Sequence, residues 1–599
     1  MEAVMELQST SVELQIKSVT NTIWKVNKVD EKYVVAAIQK YNLPEIVARI
    51  LAARNVRLED IPNFLNPTLK EYLPDPFHLK DMEKAANRVV QAITENQTIA
   101  ILGDYDVDGA TSTSLLVRYF NSIGAKVIFH IPDRILEGYG PNANALSSLY
   151  ERGAKLCLTV DCGTMSFAPI LHAKEIGLDL IVIDHHLSSE TLPEAFAIVN
   201  PNRLDETSEH GYMAAVGVCF LLIVAVNRIL ADQNYFVPKK APDLIQLLDI
   251  VALGTVCDVV PLKKANRAFV AQGLKVLRKR QNLGLNALMD VAQINDIPLV
   301  YHLGFMIGPR INACGRIGKS DLGTKILTSN DSFEVSELAQ QLNSFNIERK
   351  EIEQRVLEEA LEQVESKNED FPLIMVSSHN WHPGVIGIVA GRLKEKYHKP
   401  VAVLSLDKGI GKASARSISG VDFGSAIVAA NQQGLLIAGG GHAMAAGFSV
   451  HENNIKALHD FLNEKFRDGV SEFGQRKLYS DGYLTLSAIN SELIDKIAMV
   501  GPFGTANYEP QFIFPNVFIR KVDILAGQHI KAIVADNYVG GQGKTIKAMS
   551  FRSIDTPLGN ALLNNVGRNI SIVGKLKINN WQGTKQVEIL IEDVAVGNL

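Results

Sequence analysis

Between residues 98 and 183 the chain alternates short apolar runs with stretches of helical period. TIAIL (98–102), KVIFHI (126–131), KLCLTV (155–160) and LDLIVI (178–183) are too short for helices, and segments such as 111–123 and 166–176 separate most of them. This alternation predicts a parallel, doubly wound sheet, because parallel neighbours need a crossover and runs buried on both faces carry few polar residues. The longest apolar run, Met213 to Val226, stops at Asn227 and Arg228, short of the roughly 18 residues a membrane span needs. It reads as a buried core helix.

Ahead of the sheet, residues 1–75 have a mixed, helical pattern ended by Pro62, Pro67, Pro74 and Pro76, and are expected to form an N-terminal helical cap to a sheet domain of residues 76–330. Asp331 and Glu334 have capping-box spacing at the start of a connecting helix, 331–367, in which Val335, Leu338, Leu342, Phe345, Ile352, Val356, Leu361 and Val364 keep helical period. A second α/β pattern, dense in glycine, begins at FPLIMVSS (371–378) and occupies residues 368–470. Beyond Arg476 the runs QFIFPNVFI (511–519), HIKAIVA (529–535), NISIVGKLKI (569–578) and QVEILIEDV (586–594) alternate as strands. Roughly five strands in about 120 residues suit a small β-barrel of the OB type over residues 478–599. The expected fold is therefore multidomain α/β with a C-terminal barrel.

Composition narrows the partners. A chain of 599 residues is too long for one core, and 47% hydrophobic against 21% charged residues excludes disorder and fibrous folds. With 60 Lys and Arg against 65 Asp and Glu there is no basic coat, so nucleic-acid binding has to come from a local groove. Five cysteines with no C-x-x-C pair argue against a disulfide framework or zinc ribbon, and the acidic start MEAVMELQST is unlike a signal peptide. The expectation is a cytoplasmic protein with no membrane association.

The chemistry concentrates at the ends of the apolar runs. GDYDVDG (103–109) follows the first run, LCLTVDCG ends in Asp161, LIVIDHH ends in Asp184, His185 and His186, and LLDIVALGTVCDVVPL carries Asp258. Asp104, Asp106 and Asp108 crowd one turn, where like charges repel unless cations neutralise them; alone, the turn reads equally well as a helix cap. In a parallel sheet, however, those strand ends lie side by side, where open α/β folds bind ligands. Uncompensated buried carboxylates cost several kcal/mol each, so four such segments point to a metal site. Oxygen ligands with one or two imidazoles suit Mn(II) or Mg(II) better than structural zinc. Two such ions, about four Å apart and bridged by one carboxylate, activate a water and stabilise both oxygens of an in-line phosphoryl displacement.

GDYDVDG, VDCG, IDHH and the Asp258 segment resemble the DHH phosphoesterase superfamily, and within it the RecJ family of bacterial exonucleases specific for single-stranded DNA. PRINACGR (309–316), WHPGVIGIVAGRL (381–393), SARSI (414–418), GGGHAMAAG (439–447) and GPFGTANYEPQF (501–512) match RecJ-type segments in order, so the resemblance covers almost the whole chain, the first 75 residues being the least diagnostic. It implies a DHH catalytic domain, a DHH-associated domain and an OB barrel. It implies that Asp106 and Asp161 hold one metal, that Asp108, Asp161, His185 and Asp258 hold the other, that His186 contacts the scissile phosphate or assists the leaving group, and that Asp184 orients the histidines. Asp104 is left as ligand or supporting carboxylate; many relatives have a histidine-led first motif where this chain has Leu102. The implied activity is 5′ to 3′ degradation of single-stranded DNA in recombination and repair, alongside a single-strand-binding protein and a helicase.

Arg310, Asn312, Arg316 and Lys319 in PRINACGRIGK are able to grip phosphates, and Ser414, Arg416 and Ser417 with Gly440, Gly441 and His442 resemble the family's substrate half-site. The stretch 263–280 holds seven Lys and Arg and no acid, and Arg568, Lys575, Lys577, Lys585 and Trp581 give the barrel charge and a stacking ring. QGKT (542–545) is no phosphate loop, since the first glycine that motif needs is Tyr538 here, and Cys162, Cys257 and Cys314 read as small packing residues. Two other readings stand beside the nuclease. A DHH phosphodiesterase on small nucleotides would lack the barrel and PRINACGR; a non-catalytic RecJ-like DNA-binding scaffold would lack motif acids, and none is missing.

Overall fold

The computed structural model describes residues 11–14, 18–134, 137–366, 370–536, 543–581 and 584–597, without the side chains of Ser11, Val12, Asn580, Trp581, Thr584 and Lys585. It divides into two compact units, one of Met1–Leu65, Glu351–Gly501 and Glu509–Leu599, the other of Asn66–Lys350 and Pro502–Tyr508. The first unit opens on strands β1 (Ser11–Glu13) and β2 (Ile23–Asn27), and β2 pairs in parallel with Lys477–Ser480. The N-terminal region is thus only partly helical: Trp24 is buried, its indole N–H donates 2.7 Å to the buried Asp593, and the Val19 amide donates to Val594 O. Its strands are short, and β2 pairs with a segment over 400 residues away, which no local periodicity reveals.

The second unit contains β3 (Thr98–Gly103), β4 (Val127–His130), β5 (Ala154–Val160), β6 (Asp179–Ile183) and β7 (Ala197–Val199), all parallel in the order β4-β3-β5-β6-β7. Alternation along each strand sorts the side chains. Ile99, Ile101, Leu156, Leu158, Ile181 and Ile183 join the core that contains helices Met82–Thr94, Val107–Ser122 and Ala215–Asp232, whereas Ala100, Leu102, Cys157, Leu180 and Val182 pack with helices Ala143–Glu151 and Phe167–Glu175. Both faces are covered, as the unbroken apolar runs require. Helix Ala215–Asp232 continues through Asn227 and Arg228 and is, among the described residues, the one long and apolar enough to cross a membrane, yet most of it is buried in this core.

Helix Leu248–Cys257 bears most directly on the acids, because it delivers Asp258. It is squeezed from two sides. A Cβ on Gly273 of helix Lys264–Leu277 would lie 2.2 Å from Leu248 O and 2.5 Å from Ala252 Cβ, and one on Gly254 would lie 2.2 Å from Thr111 Oγ1. Helix Ser332–Ser366 runs for 35 residues. Asp331 caps it through the amides of Phe333 and Glu334, but the Glu334 carboxylate accepts from Ser329 Oγ instead of closing a capping box, and Ser329 Oγ also takes the Asp331 amide.

The first unit continues with a mixed sheet of β8 (Ile374–Ser378), β9 (Val401–Asp407), β10 (Ile410–Arg416), β11 (Ala438–His442) and β12 (Ala445–His451), ordered β11-β12-β10-β9-β8. After β13, the Lys477–Ser480 strand, come β14 (Gln511–Leu525), β15 (His529–Ala535), β16 (Thr545–Ser550), β17 (Asn569–Trp581) and β18 (Thr584–Val596), which close a barrel in the order β14-β15-β16-β18-β17. Closure removes the free edges an open sheet of this size would expose. The expected OB-type barrel is present, with one strand more than the four runs named from sequence: β16, which takes up the end of the QGKT segment.

Gly273→Ala is expected to destabilise the protein by about 1–3 kcal/mol through overpacking and, by displacing helix Leu248–Cys257, to lower activity as well. Denaturant unfolding together with turnover checks this; wild-type values for both would mean the helix pair tolerates a methyl group.

Candidate active site

Register places the acids together. Gly103 pairs with Val160 and Val160 with Ile183, so Asp104, Asp161 and Asp184 each follow the last paired residue of β3, β5 and β6. Asp161 takes a left-handed conformation (φ 60°), held by its amide on Ile183 O and by the Tyr139 hydroxyl, which donates 3.0 Å to Asp161 O. A non-glycine residue so strained persists only where its surroundings over-determine it. Asp106 Oδ1 accepts the Gly109 amide at 3.0 Å and so caps helix Val107–Ser122. Gly109 is obligatory here, since its Cβ would lie 2.4–2.7 Å from the main chain of Asp104. Asp108 accepts from the amides of Ala215 and Val216, at 2.7 and 3.0 Å, where helix Ala215–Asp232 begins with its donors unpaired. Asp258 closes the cluster from the C-terminus of helix Leu248–Cys257.

His185 Nε2 lies 3.4 Å from Asp161, 3.6 Å from Asp258 and 3.9 Å from Asp108. Its ring is hydrogen-bonded by the main chain of Met213. His186 Nδ1 bonds Asp184 Oδ1 at 2.7 Å, and Asp184 also takes the amides of Thr164, His185 and His186. Asp184 therefore orients the His186 ring but not that of His185. Ligand atoms converge in three groups, each within 4.8 Å: Asp104, Asp106 and Asp161; Asp108, His185 and Asp258; Asp161, His185 and His186.

Electrostatically this cluster is in conflict with itself. Burial first, then mutual repulsion, pushes Asp104 up to about 8, Asp108 to about 7 and Asp258 to about 9, and raises Asp161 well above the ordinary carboxylate value. Burial also pushes His185 down to about 4, leaving a neutral imidazole. Burial opposes the ionisation of Asp184 too, but the hydrogen bond and charge of His186 and the Thr164 amide outweigh it and hold Asp184 below the usual range. Asp104 Oδ1, Asp161 Oδ1 and Asp258 Oδ2 are buried with no hydrogen-bond partner. Orphaned carboxylate oxygens beside a neutral imidazole are a donor set that fits hard divalent cations.

Profile matches locate a DHH family N-terminal domain over residues 98–255, a DHHA1 domain over 370–468 and a RecJ OB domain over 480–593. The single-stranded-DNA-specific exonuclease RecJ of Escherichia coli (strain K12) is 36% identical over 566 residues, which are 92% of this chain and 96% of that protein. The chain belongs to the RecJ family. The crystal structure of RecJ from Thermus thermophilus in complex with Mn2+ is similar with a TM-score of 0.80 and 26% identity, covering 96% of this chain and 80% of that one. The Mg2+ complex gives 0.74 at 25% identity, covering 96% and 79%.

Among the RecJ-type segments, PRINACGR forms most of helix Gly308–Ile317, and it abuts the first acid turn: a Cβ on Gly315 would lie 2.9 Å from Tyr105 O. Arg310 is partly committed, donating 3.1 Å to Asn343 Oδ1 and 2.6 Å to Met306 O. Asn312 and Arg316 are half-buried on the same helix, and Lys319 is exposed beyond it. Ser414, Arg416, Ser417, Gly440, Gly441 and His442 belong to the other unit. There Arg416 Nη1 donates to Ala415 O and Ser414 Oγ, and Gly440, Gly441 and His442 lie on the exposed edge strand β11. Ser417 is buried and spends its hydroxyl on Val421 O at 2.6 Å, so it faces the fold rather than a ligand.

Four residues beside the acids escaped the sequence reading. Asn200 donates to His186 O and Thr164 Oγ1, and Asn202 to His185 O, fixing the main chain of the two histidines. Arg134 sits over the Tyr105 ring at 5.1 Å, and Tyr139 makes edge contacts with Tyr105 and His186. Their only signals were polar residues after β7 and a glycine-containing connection after β4, neither of which marks chemistry by itself.

Carboxyls raised above the value of 3.8 that they have when exposed favour the folded state fully below that value and lose this contribution as pH rises through the folded values of about 7 to 9. Chelated protein is therefore expected to lose thermal stability between about pH 5 and about pH 9, and Mn2+ to restore it by a margin that widens with pH. Melting curves with EDTA and with Mn2+ across that range test this, and a margin independent of pH would contradict it.

Proposed function

We propose that this chain hydrolyses single-stranded DNA from its 5′ end, with two divalent ions, Mn2+ or Mg2+, held by the clustered acids and His185. The observation that carries this reading is the set of orphaned carboxylate oxygens gathered around adjacent strand ends in a chain of the RecJ family. Asp106 and Asp161, with Asp104 beside them, form one ligand group, and Asp108, His185 and Asp258 with the shared Asp161 form the other. When bound, such ions supply charge that stabilises the oxygens exchanged in phosphodiester hydrolysis.

The chain's own residues do the rest. Asp108, pinned by two helix-terminal amides, and Asp161, pinned by its strained main chain, hold their oxygens in place without reorganisation. His186 keeps its second nitrogen free of Asp184 while Asp184 fixes the ring, which suits a contact to the scissile phosphate or the leaving oxygen. On its own unit, the helix carrying Arg310, Asn312 and Arg316 offers donors suited to phosphate; on the other, Ser414, Arg416, Gly440, Gly441 and His442 offer a second set, while the Ser417 hydroxyl is spent on Val421 O. A cytoplasmic role in recombination and repair, with a single-strand-binding protein and a helicase, follows from the family resemblance.

Asp161→Ala should abolish cleavage of end-labelled single strands while largely preserving their binding, whereas Asp184→Asn should lower turnover about 10–100-fold. Near-normal cleavage by the Asp161 variant would sink the assignment of metal ligands. With the wild type, 5′ overhangs should be digested and 3′ overhangs and circular strands spared, and Arg316→Ala should weaken the preference for a 5′-phosphate over a 5′-hydroxyl end. Digestion of 3′ overhangs would reverse the polarity.

A further inference from the structure

The helical segment leading into PRINACGR contains a π turn, Leu303–Ile307, between Val300–His302 and Gly308–Ile317. Such turns shift the side-chain register and recur at functional sites. Here Leu303 and Ile307 point wholly inward, while Tyr301 and Phe305 are 56% and 73% exposed. Large aromatic rings so exposed, and paired, are unusual on a protein surface. Their centroids are 5.2 Å apart with planes 23° from parallel, a stack rather than the edge-to-face contact that buried aromatic pairs often adopt.

The inner side of this turn rests on the metal-ligand helix. The Cys257 thiol donates 3.5 Å to Leu303 O, a Cβ on Gly308 would lie 2.4 Å from Cys257 Sγ, and one on Gly304 would lie 3.4 Å from Val256 Cγ1. The residue after Cys257 is Asp258, and the far end of the same helical segment touches the Tyr105 turn. The two rings are thus fixed to the acid cluster through one layer of backbone.

We propose that Tyr301 and Phe305 form a stacking platform for an unpaired base of the strand processed at that cluster, and that they contribute to the preference for single strands. This rests on the nuclease reading above. A flat aromatic face takes any base, as a sequence-tolerant exonuclease requires, but a base already stacked and paired within a duplex cannot occupy it. The chemistry asks for stacking, not merely for apolar contact, and that distinction is testable.

Phe305→Ala should raise KM for a single-stranded oligonucleotide about ten-fold with kcat within about two-fold, Phe305→Trp should keep wild-type KM, and Phe305→Leu should resemble the alanine variant. In an Asp161→Ala background, which leaves the strand intact, 2-aminopurine scanned along the oligonucleotide should be quenched at a particular position and brighten there in Tyr301→Ala and Phe305→Ala. Because both side chains are exposed, melting temperatures should stay at the wild-type value. Rescue by leucine equal to that by tryptophan would overturn the platform in favour of an apolar protein contact, and unchanged KM and quenching in the alanine variants would overturn it outright. Wild-type protein that quenches the probe yet never cleaves the strand would refute the nuclease reading and not the platform.

Discussion

Repulsion among buried carboxylates is the constraint on which this structure turns. Several acids share a small, largely desolvated volume, where unneutralised charge costs several kcal/mol per ion. A fold tolerates this only if the surrounding scaffold is too stiff to relax the acids apart. That stiffness comes from aligned strand ends, two helix N-terminal amides on Asp108, the left-handed main chain of Asp161 and the glycine-tight packing around helix Leu248–Cys257. The left-handed residue and the tight glycine contacts cost conformational freedom, the two amides stabilise the Asp108 carboxylate, and together they keep the acids converged where positive charge would relieve their repulsion.

The catalytic sheet and its acids were legible because both rest on local signals. An apolar run of five or six residues ending in Asp declares a strand and its end, and parallel register then brings the ends together. Asp258 was legible only as the end of an apolar segment; that the segment is a helix rather than a strand is invisible in a run apolar on every side. The supporting residues were not legible. Asn200, Asn202, Arg134 and Tyr139 act through single contacts set by tertiary packing, and nothing in their spacing distinguishes them from loop residues.

Charge was the poorest guide. Lys575 and Lys577, expected to attract phosphate, are paired with Glu592 and Glu509 at 2.9 and 2.7 Å. In the basic stretch 263–280, Arg267 is buried and donates to Pro502 O, Lys264 approaches Glu209 and Arg280 binds Asp290. A count of cations along the chain carries no information on which acids fold back onto them, and surface pairs of this kind contribute little to stability either.

The pairing of β2 with Lys477–Ser480, and of Trp24 with Asp593, has a consequence for the order in which the protein comes into being. A chain leaves the ribosome from its N-terminus, at about 5–20 residues per second. The unit holding the acids needs little beyond Asn66–Lys350, with Pro502–Tyr508 added later, and has most of its sequence early. The other unit is stitched from three distant stretches, and β2 must wait for Lys477–Ser480 to be synthesised before it gains its parallel partner, and for Asp593 before Trp24 finds its acceptor. The half that carries the acids can therefore fold while its companion is still being translated, leaving the edge of β2 that receives Lys477–Ser480 open for most of that time.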